Sequence, residues 1–563
     1  MKQFIWTIYF TGLVLQCFGQ TVKNEFYERI YLQTDKQLYL AGESIHLKVL
    51  TVDPELIPIV FSKIVYAELV DSVQAHIQIK MALSHGIGKG VMQIPSDLPT
   101  GVYRLIAYTQ FMRNEGSGVF FEKMIGVVNT FQPDYYPREQ QVDTENYPAA
   151  GRQSGYMTLF PDKTIYSNRE HGELTITGLP DNIHSLSVSI TGKEMFAVDK
   201  TDQGLPQQMK PPQPTVFTGE YLPEYEGHII TGKIINNQTG QEATNNLLLT
   251  TGLSFPGKEL RFFPGQNTET GLVRFFTSGI TGTKEVATIV YYEDKKYRLD
   301  VISPFVTYFS PQKMPVIHID SADYDQLLAR SVALQVSHYF MDNPNDTPVG
   351  QGSMMKLIPT NSYLLDEYTR FTTMREVFTE FISNARFRRR SGKWELSLLV
   401  KEGYRVDFGN DPLVLLDGAP VSDHELIYHY DPLSVEQINI YNEQYHFGGR
   451  IIEGIIELKT YRGLLQDLNF DKSTQITPYE GPQTYQQPEI PDYSIANNRM
   501  IRMPDRRHTL LWEPDIQTDG QSTIRVPFNT SDLTGDYQAT VEGITKDGQV
   551  VFSTTSLKVE QKK

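Results

Sequence analysis

Residues 31–43 read YLQTDKQLYLAGE, and this stretch decides the fold. The preceding RIYLQTD run is a short β segment, and Asp35-Lys36 and Ala41-Gly42 supply turns. Six more segments of the same kind follow before residue 131: SIHLKVLTV, KIVYAELVD, HIQIKMAL, GVMQIP, GVYRLIAYTQF and MIGVVNT. Pro99-Thr100-Gly101 turns the chain into one of them. Short strands that mix apolar and polar residues at this spacing predict a β-sandwich over 20–131.

The TDKxxYxxGE spacing, with the later LPTGVYRL, resembles the second macroglobulin-like domain of the alpha-2-macroglobulin superfamily. The shared residues are turn formers plus Tyr39, which the resemblance places in the core. None of them is catalytic.

Outward from this module, 132–154 is a polar linker and 155–200 resumes the β pattern for about half a sandwich. A Pro/Gln-rich linker covers 201–219. Residues 225–305 read as a further β module, and their GKIIN…TGQ…GLVRF layout resembles the carboxypeptidase regulatory-like domain. Helical periodicity over 321–341, carried by Tyr324, Leu327, Leu328, Val332, Leu334 and Val336, predicts a connector helix packed on a neighbouring sheet.

Residues 363–463 read as a small α/β unit. Thr373 and Glu376 form a capping-box pattern. Phe371, Met374, Val377, Phe378, Phe381 and Ile382 then lie three to four apart, an amphipathic helix. Strands follow at WELSLLV, PLVLLDG, VEQINIYN and GIIELKTY, with a tight turn at Asp417-Gly418. The order PLVLLDGAPV…DPLSVEQINIY…FGGR…GIIELKT resembles the plug of a TonB-dependent outer-membrane receptor. A receptor barrel needs about 22 strands of about ten residues each. Only 100 residues follow Gly463, so the expectation is a plug-like module without a barrel.

Residues 464–504 read as a linker and 505–559 as a macroglobulin-type β segment. Neither 155–200 nor 505–559 covers its apolar face alone. Pairing across the chain would make one sandwich and turn everything between into an insertion. The alternative is two small domains in a linear string. The fold class is therefore mainly β, immunoglobulin-like or macroglobulin sandwiches plus one small α/β domain.

Residues 1–19 carry Lys2, an apolar run and Gly19, the pattern of a secretory signal peptide. Cys17, the sole cysteine, would leave with it; Gln16 before it disfavours a lipoprotein anchor. Without a mature cysteine there is no disulfide, thiolate metal site or internal thioester. A net charge of −16 repels nucleic acid and anionic lipid, so neither is expected as a partner. No later run is long and apolar enough for a transmembrane helix.

The chemical motifs are absent: no HExxH, no Walker loop, no nucleophile elbow. His85-Gly86-Ile87-Gly88-Lys89-Gly90 is read as a hairpin loop, and the 12 His residues lack metal spacing. Asp417 and Asp423 are read as turn formers. Arg386 and Arg388-Arg389-Arg390 are read as a solvated turn past the helix, with contact to an acidic partner or lipid headgroups as the sharper alternative. Trp394 and Trp512 suggest no stacking platform. These readings imply no enzyme, no cofactor and no metal. They point to an exported protein of a Gram-negative envelope, periplasmic or outer-membrane-associated, that binds a partner protein or ligand. The plug resemblance places the partner-binding loops at 424–430 and 444–450, with His424, Tyr428, Tyr430, Tyr445 and Arg450 as candidates. The competing expectation is a macroglobulin-type endopeptidase inhibitor without a thioester, against which stand the length and the lack of an evident bait segment.

Overall fold

The computed structural model describes residues 26–132, 157–193, 219–243, 249–257, 259–291, 296–309, 314–315, 317, 319, 324–340, 357–402, 405–409, 412–447, 450–463, 465 and 468–562. The expected signal peptide with Cys17, and most of the 132–154 and 201–219 linkers, lie outside the described residues.

The first unit is an eight-stranded sheet folded on itself. Arg29–Thr34, Ser44–Val52 and Ile87–Gln93 form one layer. Ile64–Val70, Gly101–Tyr108, Phe121–Val128 and the short Leu38–Leu40 form the other. Ala75–Ser84 belongs to both, pairing with Ile64–Val70 along its length and with Ile87–Gln93 at its end. Leu32, Tyr39, Ile45, Leu47, Val65, Leu69 and Ile125 fill the space between them. Tyr39 is fully buried. Its hydroxyl donates to Asp35 Oδ1 at 2.7 Å, and the same carboxylate oxygen accepts the His46 N–H at 3.1 Å. A buried phenol thus satisfies its polar tip on the turn that precedes it. Residues 85–90 make a hairpin, with His85 and Gly86 at φ 51° and 79° between two paired strands.

The same device recurs in the second unit. Asp162, Lys163 and Tyr166 repeat the Asp35, Lys36, Tyr39 spacing. Tyr166 donates to Asp162 Oδ1 at 2.6 Å, and that oxygen accepts the Glu173 N–H at 2.7 Å. Lys163 pairs with Glu170 as Lys36 pairs with Glu43. Two units therefore open on one turn motif.

The strands of this second unit come from both ends of the chain. Ile183–Gly192 lies between Gly535–Thr545 and Thr509–Glu513. Ile165–Ser167 runs parallel to Val550–Glu560. In the facing sheet His171–Thr177 pairs with Thr523–Asn529 and with Thr158–Pro161. Leu174, Ile176, Leu186, Val188 and Ile190 share one core with Leu510, Val526, Phe528 and Val541. The apolar faces that each half lacks the strands to cover are covered by the other half. Everything between residues 193 and 508 is inserted into this sandwich.

The insertion begins with two four-stranded sheets. One holds Ile229–Asn236, Leu272–Phe276 and Tyr297–Val301; the other holds Thr250–Ser254 and Thr283–Tyr291. Its last strand is Thr474–Glu480, paired from Thr283↔Glu480 to Ile289↔Thr474. This corrects the reading of 464–504 as linker throughout. The segment is an edge strand, where Pro478 is tolerated because no inner ladder needs its missing N–H.

The expected helix, Tyr324–Phe340, docks on the first sandwich, but with only part of the expected stripe: Leu327 and Leu334 pack there. Leu327, Arg330, Ser331 and Ala333 are buried, whereas Tyr324, Leu328 and Val332 are exposed. Arg330 sets the roll: its guanidinium donates to Glu43 at 2.8 and 2.9 Å and to the Leu38 carbonyl at 2.9 Å. Burial alone would raise the Glu43 carboxyl, but the charges of Arg330 and Lys36 hold it well below the usual carboxylate range.

The two sandwiches meet along a polar seam. Tyr31 hydrogen-bonds Glu542, Ser187 donates to Gln33 at 2.8 Å, and Thr509 donates to Asp35 at 3.1 Å. Lys48 is buried beside them, and its Nζ has no hydrogen-bond partner among the described residues. Burial pushes its ammonium down from 10.5 to about 7, with Asp515 and Glu542 opposing and Lys89 assisting. Because the folded value is the lower one, the unfolded chain binds more protons between those two values, and stability rises with pH across that window. Lys48→Met is expected to raise stability at pH 7 by roughly 1–4 kcal/mol. The gain should shrink towards pH 10. Denaturant melts of both proteins at several pH values check this; a destabilised variant at pH 7 would contradict it.

Candidate partner-docking surface

The α/β unit holds a five-stranded sheet, ordered Asn361–Leu364, Val435–Phe447, Arg450–Thr460, Leu413–Leu416, Ala419–Pro420. Beside it lie the three strands Ala385–Arg390, Lys393–Glu402 and Arg405–Gly409. The helix Met374–Glu380 is capped by Thr373 and Glu376 as the sequence pattern predicts. It buries Met374, Val377 and Phe378. Asp417, at φ 47°, makes a buried turn with Gly418 and accepts both the N–H and the hydroxyl of Thr460 at 2.7 Å. Its carbonyl accepts the Gly257 N–H at 2.9 Å, so this turn docks the unit on the preceding module. A Cβ on Gly418 would lie 3.2 Å from Pro256 Cα, and the close approach requires glycine there.

The arginine run is not a turn. Ala385–Arg390 is a strand paired with Lys393–Glu402, from Ala385↔Leu398 to Arg390↔Lys393. The turn falls at Ser391-Gly392, at φ 50° and 86°, as a two-residue hairpin demands. Alternation then sorts the side chains. Ala385, Phe387 and Arg389 share one face, and Arg386, Arg388 and Arg390 share the other. Arg388 stands opposite Glu395, a favourable cross-strand pair.

Arg389 stands opposite Trp394, and this corrects the expectation that Trp394 forms no platform. The Trp394 ring stacks on Tyr428 at 4.7 Å between centroids with 6° between planes. Arg375 lies over Trp394 at 5.5 Å. Tyr428 meets Phe387 edge-on at 5.1 Å, and Phe387 meets Phe378 at 5.1 Å. An aromatic ladder thus runs from the core to a half-buried Trp–Tyr face fringed by exposed Arg375, Arg389 and Lys393. The short helix Glu425–Tyr428 is held against it. Glu425 accepts the Trp394 N–H at 2.6 Å, and His424 Nδ1 accepts the Leu396 N–H at 3.0 Å. Lys393 and Asp423 lie 3.5 Å apart. Cation, stacked rings and a sheet edge together suit an extended segment that carries acidic side chains.

The five residues singled out from sequence divide accordingly. His424 and Tyr428 belong to this face, His424 as an inward brace and Tyr428 as half the stack. Tyr430 is packed against the unit's own core, and burial raises its phenol. Tyr445 sits where this unit meets the preceding module, beside Tyr441, Ile452, Phe262 and Tyr291. Residues 444–447 and 450–453 are paired strand ends and not a free loop. The Arg450 side chain and Gly448-Gly449 lie outside the described residues. Trp394 and Arg375 are not legible in the sequence as parts of this face, and Arg389 is legible only as part of a basic run, although Arg389 and Trp394 flank Ser391-Gly392 at the spacing that puts them opposite each other in a two-residue hairpin.

Among the described residues no three His, Cys, Asp or Glu side chains gather as a metal site, and no helix is long and apolar enough to cross a membrane.

No family model and no curated protein matches the chain. Solved structures do. Salmonella alpha-2-macroglobulin reacted with methylamine is 9% identical with a TM-score of 0.24, covering 95% of this chain and 40% of its own. Escherichia coli alpha-2-macroglobulin activated by porcine elastase is 8% identical with a TM-score of 0.25, covering 95% of this chain and 44% of its own. The Escherichia coli adhesin FdeC is 11% identical with a TM-score of 0.15 over 52% of this chain and 65% of its own. This chain thus spans less than half the length of either macroglobulin. With TM-scores and identities this low, neither family nor function follows from these matches.

Proposed function

We propose that this chain is an exported, non-catalytic envelope protein. It carries a plug-like docking head on a pair of sandwiches and binds a partner protein at the outer membrane. One observation carries the reading: the Arg375–Trp394–Tyr428 stack, half-buried and ringed by exposed basic side chains on the edge of the head. Clustered Trp, Tyr and Arg in one partly desolvated patch is the composition of protein-binding hot spots. The strands that follow Gly463 support it too, since they complete sandwiches. The partner contact is an acidic extended segment laid along Ala385–Arg390. The test is capture of envelope proteins by the full chain and by Trp394→Ala. Truncating a central anchor of this kind costs about 2–4 kcal/mol of binding, so retention of the captured protein should fall at least 30-fold. Equal capture by both overturns the reading.

A second reading, an endopeptidase inhibitor of macroglobulin type without a thioester, is favoured by the two sandwiches built on one Asp-Lys-x-x-Tyr turn and by Cys17 being the sole cysteine. It predicts that pre-incubation with elastase shields that proteinase from a large substrate but not from a small one. The docking reading predicts no shielding.

A further inference from the structure

Residues 495–507 read IANNRMIRMPDRR, with four arginines and one aspartate in a chain of net charge −16. Ile495, Met500, Ile501 and Met503 are 52%, 82%, 47% and 49% exposed. Arg499, Arg502 and Arg506 are exposed among them. Single exposed apolar residues are unremarkable, but four on one short loop form a patch that asks for a partner.

The loop is anchored by several polar contacts. At its base Tyr493 is buried and donates to Asp505 at 2.9 Å, and Asp505 is paired with Arg507 at 2.7 Å. Arg169, from the second sandwich, bonds Asp532 at 2.7 Å and reaches across to the carbonyls of Ile501 and Met503. The Asn498 N–H donates to the Ile495 carbonyl at 3.1 Å and the Ile501 N–H to the Asn498 carbonyl at 3.3 Å. The Asn498 side chain and Arg499 Nε bond the carbonyls of Asp492 and Tyr493. Part of the loop's backbone polarity is therefore satisfied by its own groups and by Arg169, while Ile495, Met500, Ile501 and Met503 are exposed.

From this geometry we infer that the 495–503 loop is a membrane-surface contact: Ile495, Met500, Ile501 and Met503 enter the interfacial layer of an anionic phospholipid leaflet while Arg499, Arg502 and Arg506 meet its phosphates. Three features favour lipid over a protein partner. The patch is the tip of a loop, whereas protein hot spots fill pockets and favour aromatic anchors, of which this tip has none. The carbonyls of Ile495, Asn498, Ile501 and Met503, the residues whose apolar or flanking side chains face out, are already bonded, which lowers the cost of bringing this backbone to an apolar layer. Its charge is basic against an acidic whole, and screening over about 8 Å lets a local basic cluster act alone near a surface. Apolar insertion joined to arginine–phosphate attraction is the pairing that gives peripheral proteins usable membrane affinity. The acidic charge of the remaining surface would then orient the chain with this pole towards the leaflet. The contact is separate from the head's docking face and does not rest on it.

Flotation of the full chain with vesicles tests this. Vesicles of phosphatidylethanolamine and phosphatidylglycerol at three to one are compared with phosphatidylcholine alone. The wild type should partition onto the anionic vesicles about tenfold better than onto the neutral ones, and lose that preference in high salt. Met500→Asp with Ile501→Asp should weaken partitioning on both compositions about tenfold. Arg502→Glu should weaken it on the anionic vesicles only. All these positions are exposed, so melting should be unchanged and read-outs should reflect contact and not folding. Wild-type protein that stays off the vesicles, as it would if the loop docks a protein, overturns the inference. So does partitioning that the substitutions leave intact.

Discussion

Removal of residues 505–563 is expected to unfold the second sandwich while leaving the first folded. Leu174, Ile176, Leu186, Val188 and Ile190 are all fully buried, and the strands from 509 to 560 form much of what covers them. At about 1.5–3 kcal/mol for each such side chain, re-exposing five of them costs roughly 8–15 kcal/mol. That equals the whole stability of an ordinary domain, about 5–15 kcal/mol. Ile183–Gly192 would also lose both neighbouring strands at once. Limited proteolysis reads the outcome. Cuts should appear within 157–193 of the truncated chain and be absent from the full one. Unchanged resistance there would mean that the half-sandwich stands alone.

Phe378→Asp should unfold the docking head alone. Phe378 is buried against Phe387 and shares its core with Met374, Leu398, Ile438 and Ile456. Loss of a core phenylalanine costs about 3–5 kcal/mol, and an unpaired carboxylate in that core adds its desolvation. Phe387 is also the ring on which Tyr428 leans, so the Trp394 face should disappear with the core. A two-transition melt is expected, the head's component lost and the sandwiches' component kept. Phe378→Leu, which keeps most of the volume, should retain both. A Phe378→Asp protein that melts and binds like the wild type would place this helix in the wrong register.

These outcomes also mark what could be read from residues alone. Strand alternation, the Thr373/Glu376 cap and the Asp417-Gly418 turn are local patterns, and they stand in the structure where the sequence puts them. The complementary half-sandwiches were legible as a deficit, since each segment had an apolar face without strands to cover it. What escaped was decided by partners far along the chain. The roll of Tyr324–Phe340 follows from the ion pair of Arg330 with Glu43, which lies 287 residues away. An apolar stripe on its own includes Leu327 and Leu334, which do pack, but also Tyr324, Leu328 and Val332, which do not. Thr474–Glu480 has a proline and mixed polarity because it is an edge strand, and edge strands carry the weakest pattern. In the arginine run charge hides the strand alternation, although Ser391-Gly392 marks the real turn. The Trp394–Tyr428 stack joins a hairpin to a helix 34 residues later and has no local signal at all. The repeated Asp-Lys-x-x-Tyr turn at 35–39 and 162–166 was in plain view and would have identified the second sandwich directly.

In the proposed function the head's basic aromatic edge meets a partner at the outer membrane. Site-specific photo-crosslinking in intact envelopes tests it most directly, with the crosslinker at position 389 and, as control, at exposed position 525 on the second sandwich. The expected result is one discrete adduct with an outer-membrane protein at 389 and none at 525, with the 389 adduct abolished by Trp394→Ala. No adduct at 389, or the same adducts at both positions, would contradict the claim.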